Sequence, residues 1–206
     1  MRLPPIAHLT RWSRADGAVL EGLLGLAFVV QAVFGLIGPL LAVAGLLDPA
    51  TSRSVSLSGT TAADIAAADG IKLSTSDQAQ LTIAHPDVYQ RALLELPTLI
   101  GAAMIMLGIS LLFLLTRTLR QGDPFASGNP RRLHGIALLI LVGGVFGNWL
   151  EAITSSMLVS GTSLQDRIPT SFQISPVPVM AALLVAALAE AFRLGTRLRE
   201  DTEGLV

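Results

Sequence analysis

LLGLAFVVQAVFGLIGPLLAVAGLL, residues 23–47, runs from end to end without one charged side chain. At about 1.5 Å per residue, a helix of this length covers the roughly 30 Å hydrocarbon layer of a bilayer. The stretch is longer than the apolar region of a signal peptide and has no short run of small residues at which to be cut. We read it as a retained first membrane span, and that reading sets the class of the whole chain. Pro39 within it removes a backbone donor and is expected to kink the helix in its outer half. Gln31 is expected to hydrogen-bond across to a neighbouring helix.

Three more apolar stretches follow, at about residues 96–116, 136–159 and 177–192. The second span is entered through Pro97. The fourth is short, so it is expected to draw in Ile174–Pro176 at one end and to let Arg193 snorkel at the other. Composition agrees with a chain solvated by lipid: 51% of residues are hydrophobic and 14% charged, where soluble domains carry about a quarter charged. A net charge of −1 supplies no basic field for direct nucleic-acid binding. The absence of cysteine excludes disulfides, thiolate metal sites and thiol nucleophiles.

Charge is informative by position. Ten of the fourteen Lys and Arg residues fall on alternate connecting segments: Arg2, Arg11 and Arg14, then Arg117, Arg120, Arg131 and Arg132, then Arg193, Arg197 and Arg199. Basic residues near span ends are held on the cytoplasmic side during insertion. Both termini are therefore expected in the cytoplasm, with 117–134 as a cytoplasmic loop, 193–206 as a cytoplasmic tail and 48–91 outside.

The outer segment alternates valine and leucine with serine in RSVSLSG (53–59), and GIKLS (70–74) and QLTIAH (80–85) also read as short half-buried strands. TTAADIAAAD (60–69) has a threonine cap and the alanine content of one or two helical turns. A small strand-containing cap is expected there, against the plainer alternative of a mobile polar loop. The expected fold is all-α: a four-transmembrane-helix bundle with this cap between its first two helices.

The inner loop reads QGDPFASGNPRRLHG, residues 121–135. Gly122 is suited to end the second helix with positive φ, and Asp123-Pro124 to enforce a turn. Asn129 before Pro130 reads as an N-cap with proline at the first helical position. Arg131 and Arg132 would then stand at headgroup level, where each is worth about 1 kcal/mol against anionic lipid. Trp12 and Phe125 are expected as aromatic anchors at the interface.

This loop, together with LAEAFRLGTRLREDTEGLV at residues 188–206, resembles the bacterial membrane family called domain of unknown function 2975. The shared features are an arginine-flanked GDPF turn with an asparagine a few residues on, four-helix hydropathy, and an acidic-aromatic-arginine run (Glu190, Phe192, Arg193) ending the last helix. The resemblance implies a multi-pass plasma-membrane protein with no established activity. It also implies, as a partner, a small helix-turn-helix transcription regulator. Candidate partner-binding residues are Gly122, Asp123, Pro124, Phe125, Arg131, Arg132, Glu190 and Arg193.

Within the spans, Asn148 and Glu151 lie three residues apart and share a helix face. An ionisable group at depth is costly and often marks a pathway or ligand. Here a hydrogen bond to another helix or a wet outer cavity competes with that reading, and Thr154, Ser155 and Ser156 fit a polar outer vestibule. Trp149 is expected to pack. Glu95 should sit where the second span meets water. Glu190 precedes Arg193 by three residues, the spacing of a helix-surface ion pair, and alternatively could reach Arg117, Arg120 or Arg132.

Catalysis finds no support. His8, His85 and His134 are scattered over three loops without metal-ligand spacing, so no cofactor or metal is implied. GGVFGN lies inside an apolar span, where glycines serve helix packing and not phosphate binding, and Ser155 has no neighbouring base. Two functions are carried forward: a regulatory or sensory membrane protein that engages a cytoplasmic partner, and a small oligomeric transporter or channel using Gln31, Asn148 and Glu151. The charge asymmetry predicts that a fluorescent protein fused after Val206 will fluoresce, while alkaline phosphatase fused there will stay inactive. The reverse pattern would overturn the assigned orientation.

Overall fold

The computed structural model describes residues 14–47, 52–56, 78–83, 86–160 and 175–203. Expectations placed on Arg2, His8, Arg11, Trp12, residues 60–69, residues 70–74, His85 and Ile174 lie outside the described residues. Four helices are long and apolar enough to cross a membrane: Asp16–Val43, Val88–Arg120, Asn129–Val159 and Pro176–Asp201.

The first of these is not a uniform α-helix. It comprises α1 (Arg14–Val30), a π-helical stretch (Gln31–Ile37) and α2 (Gly38–Val43). In an α-helix the ring of Pro39 would press on the carbonyl of Gly35, four residues back, and leave it without its donor. The wider π turns stand immediately before the proline, at the place where an α ladder would be broken. Sequence reading expected a kink at Pro39, and the structure has a π stretch on its amino-terminal side. The helix then closes at Gly45, where φ is +77°. There the Leu46 N–H donates to the Leu41 carbonyl at 2.9 Å and the Gly45 N–H to Ala42 at 3.1 Å, the paired bonds of a glycine-terminated helix end.

Two strands, β1 (Ser52–Ser56) and β2 (Gln78–Thr82), pair antiparallel with Ser54 opposite Gln80. The next helix, α3 (Val88–Arg120), starts earlier than the apolar span within it. Its start is a reciprocal cap: the Gln90 N–H donates to Asp87 Oδ1 at 2.7 Å, and the Asp87 N–H to Gln90 Oε1 at 3.1 Å. Pro97 therefore lies inside the helix and not at its entrance. Glu95, placed by sequence reading at the water boundary, is buried for the same reason. Arg91, one turn beyond the cap, donates from Nε to the Pro86 carbonyl at 3.0 Å. Its guanidinium occupies the space that a side chain at Gly45 would need.

The other two long helices are α4 (Asn129–Val159) and α5 (Pro176–Glu203). Hydroxyl side chains within the long helices bond back to their own backbone, as Ser110 of α3 does to Met106 at 2.8 Å and Thr154 of α4 to Leu150 at 2.9 Å. That satisfies the hydroxyl without water or a second helix. Large apolar side chains point outward instead, with Phe34 76% and Leu184 70% exposed. In water so much exposed hydrocarbon would be costly.

The contacts sort into two compact units. One takes Met1–Val33, Met104–Val142 and Pro176–Val206, and the other Phe34–Ala103 and Gly143–Ser175. In the first, α3 and α4 run close enough that a β-carbon at Gly135 would stand 3.0 Å from Leu111. Small buried residues, Ala137, Ala182 and Ala189, keep the helices near one another. In the second, Ala42, Leu93, Leu94, Ala102 and Val159 are buried. Replacing Gly45 or Gly122 with alanine puts a β-carbon on a left-handed residue and should cost about 1–2 kcal/mol. The same change at Gly25, where a β-carbon meets nothing within 4 Å, should be neutral or stabilising by up to about 1 kcal/mol. Thermal unfolding of the three variants in detergent checks this order.

Candidate functional site

The GDPF turn begins where α3 ends. Gly122 adopts φ +80°, and the bonds Gly122 N–H to Leu119 (3.0 Å) and Asp123 N–H to Thr118 (3.1 Å) close the helix as at Gly45. Two tight turns follow, with Ala126 donating to the Asp123 carbonyl and Asn129 to that of Ala126. α4 then opens with a bond from the Arg132 N–H to the Gly128 carbonyl at 3.2 Å. Gly128 therefore takes the capping position, one residue before the Asn-Pro signal.

This frees the Asn129 side chain for another task. Its amide is fully buried. Oδ1 accepts from the Thr118 hydroxyl at 3.0 Å and from Arg132 Nη1 at 2.9 Å, while Nδ2 donates to the Pro124 carbonyl at 3.0 Å. Arg132 Nη1 also donates to the Leu114 carbonyl at 3.0 Å. Asn129 thus joins the end of α3, the turn and the start of α4. Arg132, expected at the headgroups, is turned inward to serve this cluster, and Arg131 remains exposed.

The far side of the turn is docked on α5. The Phe125 ring lies 5.8 Å from that of Phe192, tilted by 45°. It fills the notch left by Gly195, where any β-carbon would overlap the ring. The Phe125 carbonyl accepts from the Thr196 hydroxyl at 3.1 Å, and Asp123 Oδ1 pairs with Arg199 Nη1 at 2.5 Å. Phe125 keeps 39% of its surface exposed. It is a docked side chain with one free edge, where sequence reading had placed a lone interface anchor.

Glu190 pairs with Arg193 one turn on, with Arg193 Nε at 2.7 Å from Oε2 and Nη2 on Oε1. Arg193 therefore has a partner on its own helix. The alternative in which Glu190 meets Arg117, Arg120 or Arg132 is not the one adopted. Arg120 instead pairs with Glu21 of α1 at 2.8 Å, its aliphatic stem lying against Gly17. Glu21 is largely buried, and its second oxygen, Oε1, is enclosed without a hydrogen-bond partner. Segments of α1, α3, α4 and α5 thus each make a contact at the turn or beside it.

The intramembrane candidates are distributed differently. Gln31 is half-buried at the start of the π stretch, while Asn148 and Glu151 are both exposed. It is Thr154 and Ser155, one turn further on, that are buried. The hydroxyl of Thr154 can enter the interior because Leu150 and Glu151 carbonyls accept its proton; a carboxylate has no such local remedy. Trp149 packs edge-on against Phe146, ring centres 5.9 Å apart, and stays 45% exposed.

Residues 75–206 match the family model described as protein of unknown function (DUF2975). The chain belongs to this family. No curated protein and no solved structure matches it. The matched residues hold both stretches that carry the DUF2975 resemblance, and the structure brings them into contact. Gly195, Thr196 and Arg199 complete the site, and Thr118 and Glu21 support it; sequence reading made none of them a site candidate, Arg199 counting only toward orientation. The one local hint was Gly195 itself, a helix-interior glycine whose cost of about 1 kcal/mol calls for a close neighbour.

The energetics of these contacts differ. The Asp123–Arg199 pair is about half exposed on both sides, so Arg199→Ala should cost under about 1 kcal/mol. Arg120→Ala strands the Glu21 carboxylate, and Asn129→Ala strands several buried groups, so each should cost about 1–3 kcal/mol. Thermal unfolding of the three variants would show the order, and equal losses for all three would contradict it.

Proposed function

We propose that this DUF2975 member is a multi-pass plasma-membrane protein with both termini in the cytoplasm, acting as a regulatory or sensory partner of a cytoplasmic protein. Four apolar helices of spanning length support the membrane placement, and the arginine distribution supports the orientation. In this reading β1, β2 and their connections form a small cap on the outer side.

The observation that carries the partner role is the docking of the GDPF turn on α5. A turn fixed by Asn129, Phe125 and Gly195 presents a constant surface, and a rigid surface binds without the cost of ordering a loop. What it leaves outward is cationic and partly aromatic: Arg117, Arg131, Arg197 and the free edge of Phe125. Arginine with an aromatic edge is the composition favoured at the energetic centres of interfaces. Gly122, Asp123, Pro124 and Arg132 shape the surface more than they touch a partner, and Glu190 holds Arg193 in place. A small helix-turn-helix regulator with an acidic face suits these charges.

The transporter reading has less support. Asn148 and Glu151 lie on the exposed surface and not along an interior of one copy. The test is purification of the tagged full chain from native membranes in several mild detergents. A cytoplasmic regulator should co-purify, and Arg131→Glu should reduce its recovery about tenfold, the equivalent of 1.4 kcal/mol. Purification without any such protein in every detergent would sink the proposal, as would recovery indifferent to Arg131→Glu.

A further inference from the structure

Of the arginines that α3 and α4 bring to the GDPF turn, Arg120 is taken by Glu21, and Arg132 by Asn129 and the Leu114 carbonyl. Arg117 and Arg131 are exposed, and neither guanidinium has a partner among the described residues. The packing of the two helices brings this pair together. Thr118 meets Asn129, Leu114 meets Arg132, and Leu111 lies against Gly135. The helices are therefore antiparallel, with those residues on their facing sides. Each free arginine stands one residue before a facing one, Arg117 before Thr118 and Arg131 before Arg132. One residue turns a helix by about 100°, and the same turn on two antiparallel helices leads to the same side of the pair. Counted from Thr118 and Asn129, the two α-carbons stand within about 3 Å of one height.

That side is open. Phe113, one turn from Arg117, and Leu138, two turns from Arg131, are exposed on it, whereas Leu133 and Ala137 on the opposite side of α4 are buried. The height is that of lipid headgroups. Residues 96–116 hold no charged side chain. At about 1.5 Å per residue they cover the roughly 30 Å hydrocarbon layer, so Arg117 marks its edge.

We infer that Arg117 and Arg131 form a seat for the phosphate of an anionic phospholipid, whose acyl chain lies along Phe113 and Leu138. A guanidinium offers paired donors that fit phosphate oxygens, and basic sites between helices at the cytoplasmic side take such headgroups. A lipid with an ammonium in its headgroup would bring a third cation beside two that have no carboxylate of their own. An anionic lipid brings none. Sequence reading placed the neighbours Arg131 and Arg132 at the headgroups; with Arg132 turned inward, the second cation of the seat comes from the other helix.

The inference rests on the membrane placement proposed above and not on the cytoplasmic partner. The full chain, purified in a non-ionic detergent with no other protein present, is mixed with phosphatidylglycerol, and bound lipid is counted by native mass spectrometry. Phosphatidylglycerol should be retained in preference to phosphatidylcholine. Arg117→Gln and Arg131→Gln should each weaken retention about fivefold and the double change about thirtyfold, the equivalent of about 1 kcal/mol per arginine. Arg197→Gln, which removes the same charge from α5, should leave retention unchanged. Equal losses for all three arginines would mean a diffuse attraction and overturn the seat, as would equal retention of the two lipids. Inorganic phosphate at the same concentration should not displace the lipid; displacement would mean a site for a soluble anion and overturn the inference too. Without added lipid the variants should unfold at the wild-type temperature, so lost retention is read apart from a lost fold. A chain that stayed dispersed without detergent would refute the membrane placement itself, and the seat with it.

Discussion

The amide of Asn129 is the point on which the inner part of the structure turns. A primary amide buried away from water must have both its oxygen and its nitrogen satisfied, and Asn129 does so with groups from three successive segments. Thr118 comes from the end of one helix, Pro124 from the turn and Arg132 from the next helix. No hydrophobic side chain could hold those three groups in register, because apolar contact has no direction. The GDPF turn is thereby held by contacts that do not involve α5. Phe125 can then fill the Gly195 notch, and its carbonyl can meet Thr196.

These contacts separate what shapes the site from what is on offer to others. Gly122 and Gly195 act through the space or the torsion they permit, Asn129 and Arg132 through satisfied polar groups, and all four would be needed in a protein with no partner at all. Arg131 and Arg117 have no comparable structural task among the described contacts, and Arg197 contributes only its charge beside Glu190. The distinction matters because the stretches that identify the family mix the two kinds of residue. Contact between those stretches explains why they occur together in one chain, and the outward arginines carry the case for an external partner.

Much of this was legible beforehand. Four spans of sufficient length follow from apolar runs bounded by charge, since length and hydropathy are one-dimensional properties. The helix end at Gly122 follows from glycine before Asp-Pro. The helix ends at Gly45 and Asp87 carry signals of the same kind, glycine before a loop and an Asp-x-x-Gln cap. The role of Asn129 departs from its sequence context, which is that of a cap. Only the position of Gly128 and the proximity of Thr118 divert the side chain. Contacts such as Arg120 with Glu21 or Asp123 with Arg199 join residues far apart in the chain, and no local pattern announces them. The facing of Glu151 was equally illegible, because periodicity says which residues share a side and not which side is turned to the interior.

The π stretch before Pro39 bears on how the first helix is to be counted. Each i→i+5 bond gathers one more residue into a turn than the i→i+4 ladder does. Positions on either side of Gln31–Ile37 therefore keep different phase. A wheel drawn through Asp16–Val43 as if it were one regular spiral would carry the wrong angular step through Gln31–Ile37. The stretch acts as a gear change within a single rod, so patterns in this helix are to be read afresh from Gly38 onward.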